Sequence, residues 1–271
     1  MNFKKFLSLF LVLGTIIFFT SCSSVFKKDV DMALDSNASN SVIFVSLNYP
    51  PYYYLDSQKQ VKGRCVAIVK RVCERLNLKP VFKLLPWKEC LERGEKGMVD
   101  GVLCLSKTRM REYYYHYPRA NLDFAEYTIF QNSINTGSIT SLSDLKGKKV
   151  GVIDGIAYPE DFVNYEDCEK VLLSSPTEAM RMLATGKIDC TIEILDVGSK
   201  ILEYLRESDP NLDIDDVKPT SLVFRIDPIY IGIPKEAINS EELFRKIDRE
   251  LLRMQHSGEI FRILSEFEEE G

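Results

Sequence analysis

The sequence runs to 271 residues, with 35 Lys+Arg against 40 Asp+Glu and a formal charge of −5. Loss of Lys4 and Lys5 with a leader leaves 33 basic against 40 acidic residues, a balance of −7. That sign argues against a nucleic-acid partner, which needs a basic face to displace phosphate counterions. A composition 45% hydrophobic and 28% charged excludes disordered and fibrous classes, and about 250 mature residues suffice for one large core or two smaller ones.

Lys4 and Lys5 precede the apolar run Phe6–Phe19, whose 14 residues are too few to span roughly 30 Å of hydrocarbon as a helix. They fit the apolar region of an export signal. The run ends in Phe19-Thr20-Ser21-Cys22. Small residues before a cysteine resemble a bacterial lipobox, with Phe19 where an aliphatic is usual. The expectation is a lipoprotein signal over 1–21, lipidation at Cys22, and a flexible tether over 22–40 rich in Ser, Asn and Asp. This places the protein in the cell envelope, periplasmic or extracytoplasmic, anchored to a membrane by its lipid.

Ser41–Leu47 is β-branched and aromatic and reads as a strand. From Gly63, Cys65, Ile68, Val69, Val72, Cys73 and Leu76 recur at helical spacing until Asn77 and Pro80. Val81–Leu85 reads as a strand, Trp87–Lys96 as a helix closed by Gly97, and Met98–Leu105 as a strand. This β-α-β-α-β order favours a parallel sheet covered by helices. The pattern then restarts: strand Lys149–Ile153, helix Glu160–Tyr165, strand Lys170–Leu173, helix Pro176–Thr185, strand Asp189–Leu195 and helix Gly198–Arg206. Gly97-Met98-Val99-Asp100 and Gly186-Lys187-Ile188-Asp189 each join a helix to a strand, with Gly as the left-handed cap. A strand-like stretch follows residue 222, then amphipathic helices near 241–255 and 259–268.

Two similar α/β lobes are expected, discontinuous in sequence: 41–131 plus 228–271, and 132–227. Two crossings between lobes make a hinge, with a ligand cleft between. Cys65, Cys73, Cys90, Cys104, Cys168 and Cys190 remain after the signal. An even number in an exported protein permits disulfides, yet buried free thiols fit their apolar positions equally well. No C-x-x-C spacing occurs and only two histidines are present, so neither a metal site nor a cofactor is expected.

Four stretches together resemble the bacterial extracellular solute-binding proteins of family 3, the amino-acid-binding components of ABC importers. They are Asn48-Tyr49-Pro50-Pro51-Tyr52, then Pro86-Trp87-Lys88 with Gly97–Asp100, then Ser106-Lys107-Thr108-Arg109-Met110-Arg111, and Ser143–Gly147 followed by Lys149–Gly155. The resemblance covers residues 41–268. It implies a two-lobed periplasmic-binding-protein-like α/β fold (type II), each lobe a mixed sheet flanked by helices.

It also implies roles. Arg111, a planar fork suited to a carboxylate, would hold the solute's carboxylate, with Arg109 as its competitor. Ser106 would contact the solute by hydroxyl and backbone, and the Cys104 carbonyl would face an ammonium. Tyr49 and Tyr52 would form an aromatic wall, joined by Trp87. Gly155 and Ile156 stand where many relatives carry a hydroxyl residue, leaving backbone N–H groups as donors. The acid that meets the ammonium is expected at Ile194, with Glu193 one residue short and Asp196 two beyond. Either Glu193 serves, or the solute is not a standard α-amino acid.

The function implied is a lipid-anchored substrate-binding protein, a monomer that closes on an amino acid or related small carboxylate and docks on a membrane permease. A cyclohexadienyl-dehydratase-like enzyme on the same scaffold is the alternative, with Glu126 or Glu193 as acid–base group. A ligand-sensing input to a membrane receptor is another. Of the two histidines, His116 and His256, the first is read as a surface residue at a Tyr-rich helix end, and no G-x-S-x-G, H-E-x-x-H or phosphate loop supports catalysis.

Overall fold

In a computed structural model the described residues are 40–134 and 137–269. The signal, Cys22 and all but the last residue of the tether lie outside them. Among the described residues no helix is long and apolar enough to cross a membrane.

The body from Val42 onward is an α/β unit built on one mixed sheet. Its strands are β1 (Ser41–Ser46), β2 (Tyr54–Leu55), β3 (Val61–Lys62), β4 (Lys79–Leu84), β5 (Gly101–Ser106), β6 (Tyr115–His116), β7 (Asp123–Asn132), β8 (Lys149–Ile153), β9 (Glu169–Leu173), β10 (Cys190–Ile194) and β11 (Val217–Pro234). Its helices are α1 (Arg64–Arg75), α2 (Trp87–Glu95), α3 (Arg111–Tyr114), α4 (Glu160–Val163), α5 (Pro176–Ala184), α6 (Leu195–Ser208), α7 (Ser240–His256) and α8 (Glu259–Glu269). The sheet runs β4-β1-β5-β11-β7-β10-β8-β9, with β6 paired to β11 and β2–β3 as a separate hairpin.

The expected parallel pairing accounts for only part of this sheet. β1 and β5 pair in parallel, as do β10 with β8 and β8 with β9. Between these sets lie two long antiparallel strands, β7 and β11. The sequence pattern assigns β7 no element and places the start of β11 about five residues late. It also starts β5 at Met98, whereas the strand begins at Gly101, and α6 at Gly198, whereas the helix begins at Leu195.

The four-residue echo has a common physical cause. Gly97 and Gly186 sit at φ 64° and 66°, the left-handed region where a Cβ is costly. This lets Met98 N–H reach back to the Arg93 carbonyl and Lys187 N–H to Met182, both at 2.9 Å. Asp100 and Asp189 then accept a backbone N–H from the early part of a neighbouring strand, from Ile43 of β1 and Lys149 of β8, both at 2.7 Å. The same device fixes β1 against β5 and β8 against β10.

α1 buries Cys65, Val66, Ile68, Val69, Val72 and Cys73 on one face. Each large aliphatic buried there contributes roughly 1.5–3 kcal/mol. Its exposed end is clasped by the C-terminal helices: Arg75 pairs with Glu250 of α7 at 2.8 Å and Glu259 of α8 at 2.6 Å. All six described cysteines are free, five of them buried, and burial pushes the Cys73, Cys90 and Cys190 thiols up to about 12. These are packing residues, not thiolates in waiting.

Candidate functional site

The β1–β2 loop turns back on itself and docks on the start of α1. Tyr52 and Tyr53 N–H groups bond the Tyr49 carbonyl at 2.9 and 3.0 Å, and Arg64 and Cys65 N–H groups bond the Pro51 and Tyr52 carbonyls at 3.0 and 3.1 Å. Orphan donors of the helix N-terminus are thereby satisfied by the loop. The result holds the Tyr49 hydroxyl over the C-terminal end of β10. There it donates to Glu193 Oε1 at 2.7 Å.

Glu193 is buried. The Ile194 N–H donates to the same Oε1 at 2.7 Å. Ile194 itself is core, 1% exposed, because alternation along β10 turns its side chain away. Of the three candidates, Glu193 therefore faces the aromatic loop. Asp196 is engaged by Arg64 at 2.8 Å. Burial pushes the Glu193 carboxyl up to about 7, while the Tyr49 hydroxyl and Ile194 N–H pull it back.

Arg111 opens α3, where the Thr108 hydroxyl accepts its N–H at 3.2 Å. Its side chain turns inward and is 8% exposed. Nη1 donates to the Ser106 carbonyl at 2.9 Å and Nη2 to the Gly155 carbonyl at 2.7 Å. The guanidinium lies 5.6 Å from the Trp87 ring centre. Among the described residues no carboxylate reaches it within 4 Å, and burial lowers its pKa from the ordinary arginine value. Arg109, its competitor in sequence, is exposed.

Trp87 opens α2 and donates its indole N–H to the Gly155 carbonyl at 2.9 Å. Gly155 thus receives two side chains from the other half of the sheet. It sits at φ +78°, and a Cβ there would meet Leu91 Cδ1 at 2.9 Å and Trp87 Cδ1 at 3.2 Å. Ile156 follows, half-buried, its N–H turned to the Ile153 carbonyl at 3.2 Å. Ser106 is buried, with its hydroxyl 3.5 Å from the Tyr127 hydroxyl. Cys104 lies within β5 at φ +59°, a conformation costing a non-glycine residue about 1–2 kcal/mol. The β5–β11 register shifts beside it.

Tyr52 stands slightly apart. Its ring centre is 6.3 Å from that of Tyr49, its hydroxyl donates to the Phe124 carbonyl at 2.9 Å, and the Arg64 guanidinium lies 5.3 Å from its centroid. Arg64 joins Asp123 at 3.3 Å to Asp196 at 2.8 Å. His116 is remote, stacked on Phe244 and 3.3 Å from Glu241.

Three site residues escape a reading of the sequence. Tyr127 is buried on β7, Tyr158 hydroxyl accepts the Ile153 N–H at 2.9 Å, and Arg225 donates to the Ala157 carbonyl at 2.8 Å while lying 5.4 Å from the Tyr127 ring centre. The β-branched and aromatic run Tyr127–Phe130 is the available signal for Tyr127. Nothing local marks the other two. Among the described residues no group of three or more His, Cys, Asp or Glu is placed to hold a metal ion. The arrangement offers one buried cation with only carbonyl partners and one buried carboxyl under phenols, chemistry suited to gripping a small polar solute.

Comparison with known proteins gives these groups a context. Residues 42–270 match the profile of the bacterial extracellular solute-binding proteins, family 3. A putative ABC transporter arginine-binding protein 2 of Escherichia coli is 24% identical over 160 residues, 58% of this chain. The match spans 64% of that relative, short of two thirds of its length. An ancestral arginine-binding protein bound to arginine superposes with TM-score 0.72 at 24% identity, covering 84% of this chain and 97% of its own. A histidine kinase sensor domain similar to periplasmic binding proteins gives TM-score 0.72 at 21% identity, covering 84% and 95%. With a family match across nearly the whole described body, the chain belongs to the bacterial extracellular solute-binding proteins, family 3.

Proposed function

We propose that the protein is the substrate-binding component of an ABC importer, which captures an amino acid or related small carboxylate by closing two lobes around it. The lobes are 41–131 plus 228–271 and 132–227, and the long strands β7 and β11 carry the crossings between them. A lipid on Cys22 holds the protein at a membrane surface, and the loaded monomer docks on a permease. It is a binding protein and not an enzyme.

The observation that carries this reading is Arg111. A buried guanidinium bonded only to neutral carbonyls exchanges weak partners for a strong one when a carboxylate arrives, since charge-assisted bonds are roughly twice as strong. Its acceptors lie on β5 and on the loop after β8, so the guanidinium sits where these two segments meet and can turn its donors to a carboxylate there. Glu193 under Tyr49 supplies a negative pole for an ammonium. The names of similar proteins support an amino acid as solute.

The test is thermal unfolding against the twenty amino acids and small carboxylates, after unfolding and refolding to strip carried solute. A solute at 100 times its Kd stabilises by about 2.7 kcal/mol, roughly 5–11 °C for a chain this size. A shift with one chemical class supports capture; no shift across the panel sinks amino-acid binding. The similar fold of a histidine kinase sensor domain favours a second reading, in which the loaded protein signals to a membrane receptor. Solute uptake by a strain lacking the protein separates the two, because a sensing input leaves uptake intact.

A further inference from the structure

Glu193 is the one acidic side chain of the cluster with no cation beside it. Among the described residues no Lys, Arg or His lies within ion-pair distance of it. The phenol that bonds it is Tyr49 from the β1–β2 loop, and its charge also acts on the phenols of Tyr127 from β7 and Tyr158 from the loop after β8. Each of the three tyrosines is itself held above its ordinary pKa, first by burial and then in part by Glu193. The neighbouring charges are already committed. Arg111 is on the Ser106 and Gly155 carbonyls, Arg225 is on Asp227 at 2.6 Å and Ala157, and Asp196 is on Arg64.

Both hydrogen bonds that Glu193 receives end on Oε1. They suit a carboxylate, yet they are two neutral donors against the desolvation of a fully buried charge. An ammonium placed at this carboxyl adds the missing cation and favours ionisation.

We propose that Glu193 is a proton-exchange site, taking the solute's ammonium group in place of its own proton. This rests on the amino-acid-capture reading above and adds its coupling to pH. The step balances simply. The Glu193 O–H bond breaks, its electron pair stays on the carboxylate, the proton leaves to buffer, and the ammonium arrives with its charge intact.

With Glu193 at about 7 before binding, affinity falls about tenfold for each pH unit below 7 and levels off above it. The solute's carboxylate and Arg111 keep their charges across this window, so neither produces that slope. His116, pulled down by burial, is stacked on Phe244 beside Glu241 and lies apart from the cluster.

The experiment is calorimetric titration of the stripped protein with each of the twenty amino acids at pH 8. The binder and its des-amino counterpart are then titrated from pH 5 to 8.5 in phosphate and in Tris or imidazole. The slope of heat against buffer ionisation enthalpy counts protons released. The expected result is close to one proton released at pH 6, falling towards none at pH 8.5. The des-amino compound should release none. Glu193→Gln should abolish the release and flatten the affinity profile, whereas removing any other titrating group should not. Tyr49→Phe, which removes a bond favouring the ionised form, should move the midpoint to higher pH, and it keeps the proposal testable if Glu193→Gln folds poorly. An amino acid bound with pH-independent affinity and no proton release overturns proton exchange and leaves capture standing. Failure of all twenty to bind overturns the capture reading itself.

Discussion

The Arg111 guanidinium donates to the Gly155 carbonyl at 2.7 Å, although 44 residues separate them in sequence. Neither of Arg111's acceptors depends on it. Gly155 O also receives the Trp87 indole N–H at 2.9 Å, and Ser106 O receives the Tyr117 hydroxyl at 3.3 Å. Arg111→Met therefore orphans no buried carbonyl and removes a buried charge with no carboxylate beside it. Such replacements are often neutral or stabilising. The solute-free protein should unfold within about 1 kcal/mol of the parent or above it. Solute binding should weaken by a hundredfold or more, since a lost bond to a charged group costs about 1.5–3 kcal/mol before desolvation is counted. A variant that both unfolds early and still binds would refute this division of labour.

Gly155 allows a comparison between backbone strain and crowding. Its φ of +78° penalises any side chain, and its Cβ would press on Leu91 and Trp87. Gly147 has nearly the same φ, +72°, and a Cβ added there would meet nothing within 4 Å. Gly147→Ala should cost about 1 kcal/mol, the left-handed penalty alone. Gly155→Ala should cost that plus about 1–3 kcal/mol of overpacking, and should also weaken solute binding by displacing the carbonyl that Arg111 and Trp87 share. Denaturant melts of both variants give the difference directly. Equal costs would mean the contact with α2 yields freely.

Arg64 stands between Asp123 and Asp196, and the two pairs differ in burial. The Asp123 side chain is 9% exposed and that of Asp196 41%. Burial already pushes Asp123 above the usual carboxylate range, so losing its cation leaves an awkward group inside. Arg64→Gln should destabilise by about 2–3 kcal/mol, and Asp196→Asn by less than about 1 kcal/mol. A double-mutant cycle between Arg64 and Asp196 should give a coupling under about 1 kcal/mol that shrinks in salt. A large, salt-insensitive coupling would show instead that this pair is a principal clasp between α1 and α6.

Most of the α/β grammar is legible in the sequence because helices α1, α2 and α5 carry clean apolar faces and explicit stop signals. Gly97 and Gly186 are legible for the same reason: a glycine followed by an aspartate three residues on encodes both a cap and a strand-start acceptor. β7 is not. Its Tyr127-Thr128-Ile129-Phe130 run is buried on both faces, so the alternation that marks a half-buried strand is lost where it matters most. Arg111, Ser106, Trp87 and Gly155 come from motif order, and the structure brings those four together. Glu193 needs the register of β10 to be preferred over Ile194. Tyr158 and Arg225 enter through loop closure over long sequence separations, which no local pattern records.

Glu193 also contributes to how the stability of the solute-free protein responds to pH. Its folded-state pKa, about 7, lies above the ordinary carboxylate value of 4.5. The folded state therefore binds more protons than the unfolded chain between these values, and stability declines as pH rises from 4.5 to about 7. At 1.36 kcal/mol per unit, this shift corresponds to roughly 3 kcal/mol lost by pH 8. Glu193→Gln keeps the Oε1 acceptor for Tyr49 and Ile194 while removing the charge. It should leave stability near pH 4.5 within about 1 kcal/mol of the parent, and raise it at pH 8 by about 1–3 kcal/mol. Urea melts of parent and variant at pH 5 and 8 measure both arms. Parallel pH profiles would mean that Glu193 is ionised in the folded protein throughout, with the Tyr49 hydroxyl and Ile194 N–H solvating its charge better than its burial implies.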